Sequence, residues 1–478
     1  MHVLFVTSEM EPLFKLGGLG DVSQSLPHAL GKLNVNVTVV LPYYATIKLD
    51  RPLCLGKLGV TYKNERHLVF VFATRHPKSS GPVILLRHPL LNDYHAPFIV
   101  GRFAFYSLAV TTLISQARAI VGHDIDIIHC HDWHTALVPL LVGENSKLND
   151  VRASTETVQA KKSRTVLTIH NLLYQGVTID TLTREIGLPQ PLIHRLNRRS
   201  GSFMNLLREG ISYADVVTTV SPTYAKEIYT KEYGEGLEDL FAKRKDRVVG
   251  IINGIDQEYW NSATDRLLAY QYDSDSVLRI KPKLKKILQK ELLLEKRDIP
   301  LLAYIGRLDG HQKGVNLLVS SIKSFLKQRR CQLAILGTGD IKIVGLIRDL
   351  AKKYPGRITF THAFDEALAR RIYAGADVIV VPSKFEPCGL IQMIAMRYGT
   401  IPLVRKTGGL ADTVIDGKTG IVFGPYTMTE LMQSIEKTIN IYHKSSAWNQ
   451  MVRRVMRQDF SWKRSAKEYK QLYQRLLK

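Results

Sequence analysis

Short runs of branched apolar residues alternate with longer amphipathic stretches along this chain, and the whole alternation occurs twice. In the first half the runs are His2–Thr7, Val35–Leu41, Val83–Arg87, Ile125–His129, Thr165–His170 and Val216–Val220. Each is continuous in character rather than alternating apolar with polar, which is the pattern of strands buried on both faces of a parallel sheet. Helix-length segments such as Asp21–Leu33 and Gly101–Ala119 lie between them, so the spacing predicts βαβ units. The second half restarts with Val248–Ile252 and continues through Leu301–Gly306, Gln332–Leu336, Ile358–Thr361, Val378–Val381 and Ile401–Val404. The expected fold class is therefore α/β, with two Rossmann-like domains facing a cleft. The charged stretch Lys243–Arg247 predicts a seam near residue 245, giving domains 1–245 and 246–459. The closing segment Trp462–Leu477 places Tyr469, Leu472, Tyr473 and Leu476 on one helical face. Periodicity does not say which domain that face covers; return of residues 460–478 to the first domain is one arrangement.

Length agrees with two cores, because 478 residues exceed what one hydrophobic core usually serves. The start, Met1-His-Val-Leu-Phe-Val-Thr-Ser-Glu9-Met-Glu11, lacks the basic region and apolar stretch of a signal peptide. No run approaches the ~20 apolar residues of a membrane-spanning helix. Cys54, Cys130, Cys331 and Cys388 are scattered without a C-x-x-C pair, which suits a reducing compartment. A cytoplasmic location is the expectation, with no membrane partner. The 66 basic against 43 acidic residues give a net charge of +23, enough to attract anionic substrates without naming one. Basic groups such as Lys161-Lys162, Arg198-Arg199 and Lys281-Pro-Lys283-Leu-Lys285-Lys286 read as solvated faces. No aromatic-rich RNA-binding signature, zinc-finger spacing or basic zipper is present, so no nucleic-acid partner is expected. Oligomeric state is not written in the sequence.

Ligands of open α/β sheets bind beyond the carboxyl ends of the strands, and the informative residues follow the strands. After the first run comes Lys15-Leu-Gly17-Gly18-Leu19-Gly20-Asp21, a glycine-rich loop opening a helix. Its glycines admit close approach of a phosphate, helix-terminal amides donate to it, and Lys15 adds a full charge. The spacing is neither that of a P-loop nor of a dinucleotide fingerprint.

This loop resembles the K-x-G-G-L-x-D-V signature of bacterial and plant glycogen and starch synthases. His131-Asp132-Trp133-His134, Thr168-Ile-His170-Asn171 through Gly176, and Val220-Ser221-Pro222-Thr223-Tyr224-Ala225 continue the resemblance. So do Asn253-Gly254-Ile255-Asp256, Gly306-Arg307-Leu308 with Lys313-Gly314, and Pro382-Ser383-Lys384-Phe385-Glu386-Pro387-Cys388-Gly389-Leu390. Arg397-Tyr398-Gly399-Thr400 and Arg405-Lys-Thr-Gly408-Gly409-Leu410 close the series, so the motifs cover most of the chain.

The resemblance implies the GT-B arrangement and a retaining glucosyltransferase that needs no cofactor or bound metal. It implies glucose transfer from ADP-glucose, the family default, or UDP-glucose to the non-reducing end of an α-1,4-glucan such as glycogen. Cleaving a glucose–phosphate bond requires cations where charge develops on the leaving diphosphate; Arg307 and Lys313, with Lys15 and the Gly17-Gly18 backbone, suit that need. Glu386 matches the family's conserved glutamate, able to bind sugar hydroxyls or an oxocarbenium-like centre. His170 and Asn171 match residues beside the transferred glucose, and Asp132 belongs to the other cleft-facing motif. Asp21, Asn253, Cys388, Gly389 and Leu390 join the substrate-binding set by their motifs, Cys388 as a wall of the sugar pocket.

The chain departs from the family pattern in places. Ile391 stands where a threonine is usual, Arg87 through His95 only loosely matches a tyrosine-bearing loop, and Phe364 occupies the base-stacking position commonly held by tyrosine. These leave the donor base, adenine or uracil, open. His129-Cys130-His131-Asp132-Trp-His134 concentrates possible metal ligands, but on a strand His129 and His131 face one side and Cys130 the other, so no metal site is expected.

Overall fold

A computed structural model describes residues 1–75, 81–143, 163–179, 181–188, 190, 192–194, 196, 203–328 and 330–478. The basic groups Lys161-Lys162 and Arg198-Arg199 lie outside the described residues. The chain divides into two compact units, one of Met1–Val220, Ala225–Gly254 and Trp462–Lys478, the other of Ser221–Tyr224 and Ile255–Ser461.

The strands of the first unit are β1 (His2–Val6), β2 (Asn36–Pro42), β3 (Leu53–Tyr62), β4 (Glu65–Arg75), β5 (Pro82–Arg87), β6 (Ile127–His131), β7 (Arg164–Ile169), β8 (Val177–Ile179), β9 (Phe203–Asn205), β10 (Val216–Thr219) and β11 (Val248–Gly250). Among the described residues nine of them form one sheet in the order β11-β10-β7-β6-β1-β2-β5-β4-β3, while β8 and β9 pair separately. The six expected first-half runs all lie in this sheet, with ends shifted by a few residues. The hairpin β3–β4 was not anticipated. Its turn, Lys63-Asn64, has φ of 53° and 61° at its two residues, the left-handed pair that suits a two-residue hairpin loop. In β4, Val69 and Val71 are buried while Leu68 and Phe70 are about half exposed, so this strand has period two rather than the continuous run sought.

The seam expected at residue 245 moves. Val248 pairs with Val217 in parallel register, so the run at Val248 closes the first sheet instead of opening the second, and the units part between Gly254 and Ile255. Charge at Lys243–Arg247 marks a solvated turn into an edge strand rather than a domain boundary. The helix Trp462–Leu476 returns to the first unit, where Trp462, Ala466, Tyr469, Leu472 and Tyr473 join the core of Val3, Phe5, Leu26 and Val39. Its Tyr473 hydroxyl lies 2.7 Å from His129 Nδ1, and Ser465 Oγ donates to the Ile252 carbonyl.

The second unit contains β12 (Leu301–Ile305), β13 (Gln332–Leu336), β14 (Ile358–Thr361), β15 (Val378–Val381), β16 (Ile401–Arg405) and β17 (Ile421–Phe423). All pairs are parallel, in the order β14-β13-β12-β15-β16-β17. Numbered within the unit this is 3-2-1-4-5-6, the Rossmann order, whose direction of winding reverses between the first and fourth strands. In the first unit the reversal falls between β1 and β6. Both reversals open a crevice at the strand ends where a ligand can enter. No helix among the described residues is long and apolar enough to cross a membrane.

Candidate functional site

Each unit gathers sequence-predicted residues at its own reversal point. In the first unit, β1 runs into Thr7-Ser8-Glu9, and the helix Gly18–Gly31 begins nine residues after Glu9. The buried Glu9 carboxylate folds back onto the glycine loop, its Oε2 accepting from Leu16 N at 2.7 Å and Gly17 N at 2.9 Å. The Gly17 amide, expected to face a phosphate, is therefore already spent; Gly18 is the first exposed residue of the helix. Burial raises the Glu9 pKa against the opposing pull of those two amides. Lys15 Nζ donates to Asp21 Oδ1 at 2.7 Å, so the expected cation and the expected Asp21 form an ion pair across the loop.

The ends of β6 and β7 supply the second group. Asp132 follows β6 with φ of 55°, a left-handed conformation uncommon for a residue with a side chain. Its amide donates to the Thr168 carbonyl, and its Oδ1 accepts from His170 N at 2.7 Å. The Asn171 amide also bonds this carboxyl, yet burial pushes its pKa up to about 7. His170 Nε2 lies 3.0 Å from His131 Nδ1. Asn171 Oδ1 accepts from Leu173 N, tightening the turn that follows β7. From the loosely matching loop, the Tyr94 hydroxyl comes within 2.7 Å of His134 Nε2, so that segment does reach the Asp132 motif. Asn253 is buried near the first unit's end with Oδ1 lacking a hydrogen-bond partner.

In the second unit, the loops after β12 and β15 flank the reversal point directly. Lys313 Nζ donates to both oxygens of Glu386, at 2.9 and 2.8 Å, and Ser383 Oγ adds a third bond at 2.9 Å. The contact depends on Gly314, whose φ is 68° and where a Cβ would lie 2.0 Å from the Pro382 carbonyl oxygen. Gly408 backs the glutamate from the other side: a Cβ there would meet the Glu386 carbonyl oxygen at 2.0 Å. Arg307 is half exposed beside this pair; its guanidinium donates to Gln312 Oε1 at 3.1 Å and stands 4.0 Å from Asp309. Cys388 is buried beneath the loop, Gly389 turns with φ of 73°, and Leu390 caps the helix Ile391–Arg397. Gln392 Nε2 donates to the Gly389 carbonyl at 2.7 Å and to Thr413 Oγ1 at 3.1 Å, holding this turn. Phe364 stands 88% exposed between β14 and the helix Glu366–Gly375.

A family model described as "Starch synthase catalytic domain" matches residues 2–243, and one described as "Glycosyl transferases group 1" matches residues 299–440. The glycogen synthase of Thermodesulfovibrio yellowstonii is 36% identical over 506 residues, covering 100% of this chain and 98% of that protein. The chain belongs to the glycogen and starch synthase family. A second glycogen synthase, from Kosmotoga olearia, is 37% identical over 486 residues with 100% and 98% coverage. The catalytic domain of starch synthase IV from Arabidopsis thaliana, solved with ADP and acarbose, superimposes with a TM-score of 0.88 at 33% identity, covering 100% of this chain and 99% of that one. Sucrose-phosphate synthase from Thermosynechococcus elongatus shares the fold at a TM-score of 0.59 and 19% identity. This glycogen and starch synthase family member is thus a glycosyltransferase with the two Rossmann-like units of the GT-B class.

Within the histidine-rich stretch, both ring nitrogens of His129 are engaged in hydrogen bonds. His129 contacts Tyr473 through Nδ1 and Thr168 through Nε2 at 2.6 Å, and no group of three or more His, Cys, Asp or Glu side chains among the described residues is arranged to hold a metal ion. Glu9, His131 and Ser383 were not singled out from the sequence as site residues. Glu9 carried one usable signal, an acid placed between the first strand and a glycine loop.

Proposed function

We propose that this chain transfers glucose, with retention, from ADP-glucose to the non-reducing end of an α-1,4-glucan. The observation that carries the reading is the Lys313–Glu386 pair beside Arg307 at the reversal point of the second unit. It joins a carboxylate suited to sugar hydroxyls and two cations suited to a leaving diphosphate. The adenine nucleotide is supported by the ADP bound to the starch synthase IV domain, and the glucan by the acarbose bound there.

In this reading the bond from glucose C1 to the phosphate oxygen breaks as the acceptor 4-hydroxyl approaches the same face. The acceptor proton passes to the departing phosphate oxygen. In the second unit Arg307 and Lys313 stabilise the diphosphate; in the first unit Lys15 and the Gly18 end of its helix suit an anion. In the second unit Glu386 holds the sugar, with Cys388, Gly389 and Leu390 lining it, and Phe364 stacks on the base; in the first unit Asp132, His170, Asn171 and Asn253 are the sugar-binding groups. The reaction is proposed to need no cofactor or metal ion and to run in the cytoplasm.

The test is release of nucleoside diphosphate from ADP-glucose and UDP-glucose with glycogen as acceptor, with and without chelator. A higher kcat/KM for ADP-glucose and elongated, α-1,4-specific-amylase-digestible product are expected. Absence of turnover with both donors, or inactivation by chelator, would defeat the corresponding part of the reading.

A further inference from the structure

Two imidazoles meet at the carboxyl ends of β6 and β7. His131 Nδ1 lies 3.0 Å from His170 Nε2, while His131 itself is fully buried with its ring against Phe5 and His129 at 4.0 and 4.2 Å. The second nitrogen of His131, Nε2, is buried without a hydrogen-bond partner. That asymmetry decides where protons sit. A neutral imidazole carries one N–H and one bare lone pair. Buried N–H groups without an acceptor are rarer in proteins than under-used acceptors. The His131 proton therefore belongs on Nδ1, where His170 Nε2 can accept it.

Both rings are neutral: burial drives His170 down to about 3 and His131 well below its ordinary value. With Nε2 of His170 accepting, the single proton of His170 must reside on its Nδ1. The backbone at His170 is held separately, since its amide donates to Asp132 Oδ1 at 2.7 Å.

We propose that His131 is a positioning residue that locks His170 as its Nδ1–H tautomer, making His170 a hydrogen-bond donor to the transferred sugar and not a proton acceptor. The donor role rests on the reading of His170 as a sugar contact; the lock does not. A ring whose accepting nitrogen is filled is not available to take the proton of the acceptor hydroxyl.

The full chain with 15N-labelled histidine tests the lock directly by NMR, with the His170 signals assigned from a His170→Gln sample. A protonated Nδ1 and an unprotonated Nε2 are expected for His170; a protonated Nε2 overturns the proposal, whatever the variants do. His131→Asn keeps an N–H donor near the Nδ1 position and is expected to preserve both the His170 tautomer and kcat within about threefold. His131→Phe removes the donor and is expected to mix the His170 tautomers and lower kcat about tenfold, with KM for the donor moving less. An unchanged tautomer in His131→Phe sinks the lock. A shifted tautomer with unchanged kcat keeps the lock and overturns the donor role of His170.

Discussion

Lys313 Nζ bonds both carboxylate oxygens of Glu386, 73 positions away, at 2.9 and 2.8 Å. The lysine comes from the loop after β12 and the glutamate from the loop after β15, the two strands between which the second sheet reverses. Glu386 is largely buried, so the pair neutralises a carboxylate that little water reaches.

Removing only one partner should be more harmful than removing both. Lys313→Ala leaves the buried Glu386 charge with the Ser383 hydroxyl and is expected to cost about 3 kcal/mol of stability and about 10²-fold or more in kcat. The double variant Lys313→Met with Glu386→Gln is expected to recover most of the stability and none of the turnover. Urea unfolding and kcat across the four-member cycle check this.

Glu9 supplies an acceptor to two amides of the glycine loop. Glu9→Ala strands Leu16 N and Gly17 N and is expected to destabilise the chain by about 1–3 kcal/mol, with KM for the donor rising as the loop loosens. Glu9→Gln keeps an acceptor oxygen and should restore most of both. Equal defects in the two variants would show that charge, rather than the hydrogen bonds, matters at this position.

Asp132 makes stability pH-dependent with a definite sign. Its folded pKa is pushed up to about 7, while an unfolded aspartate titrates near about 3.9. Between those values the folded chain holds a proton that the unfolded chain has released, so this group's contribution declines as pH rises through about 7. Asp132→Asn cannot titrate. Its stability relative to the parent should therefore rise from about pH 5 to about pH 8, measured by urea midpoints, and an unchanged difference would refute the assignment.

Phe364 is exposed, so its truncation should leave stability within about 0.5 kcal/mol. If it stacks on the donor base, Phe364→Ala should raise KM for ADP-glucose about tenfold while changing kcat little, since base–aromatic stacking is worth roughly 1–3 kcal/mol. Phe364→Tyr should be near parental. Steady-state kinetics at saturating glycogen separates these outcomes.

What could be read without the structure was what lies close along the chain. Continuous apolar runs are local, and β13, β14 and β15 carry the residues expected of them: Gln332–Leu336, Ile358–Thr361 and Val378–Val381. Loop chemistry is local too, which is why Lys15, Arg307, Lys313 and Glu386 can be proposed as site residues from the sequence. The hairpin β3–β4 escaped because its period-two pattern is weaker than a buried run, and β17 because three residues carry little periodicity.

Tertiary structure decided the pairings. Whether the run at Val248 belongs to the first or second sheet depends on its register with Val217, and no property of Val248 reveals that. Glu9 and Gly17 are eight residues apart, yet the bond between them exists only because the chain reverses at Met10–Phe14. Tyr473 reaches His129 across 344 positions, and His131 reaches His170 across 39. Sequence determined which side chains could do the chemistry, since charge, glycine and strand period are carried by the residues themselves. The fold decided which amides, carboxylates and imidazoles are already satisfied by one another, because burial and hydrogen-bond partners are properties of neighbours in space.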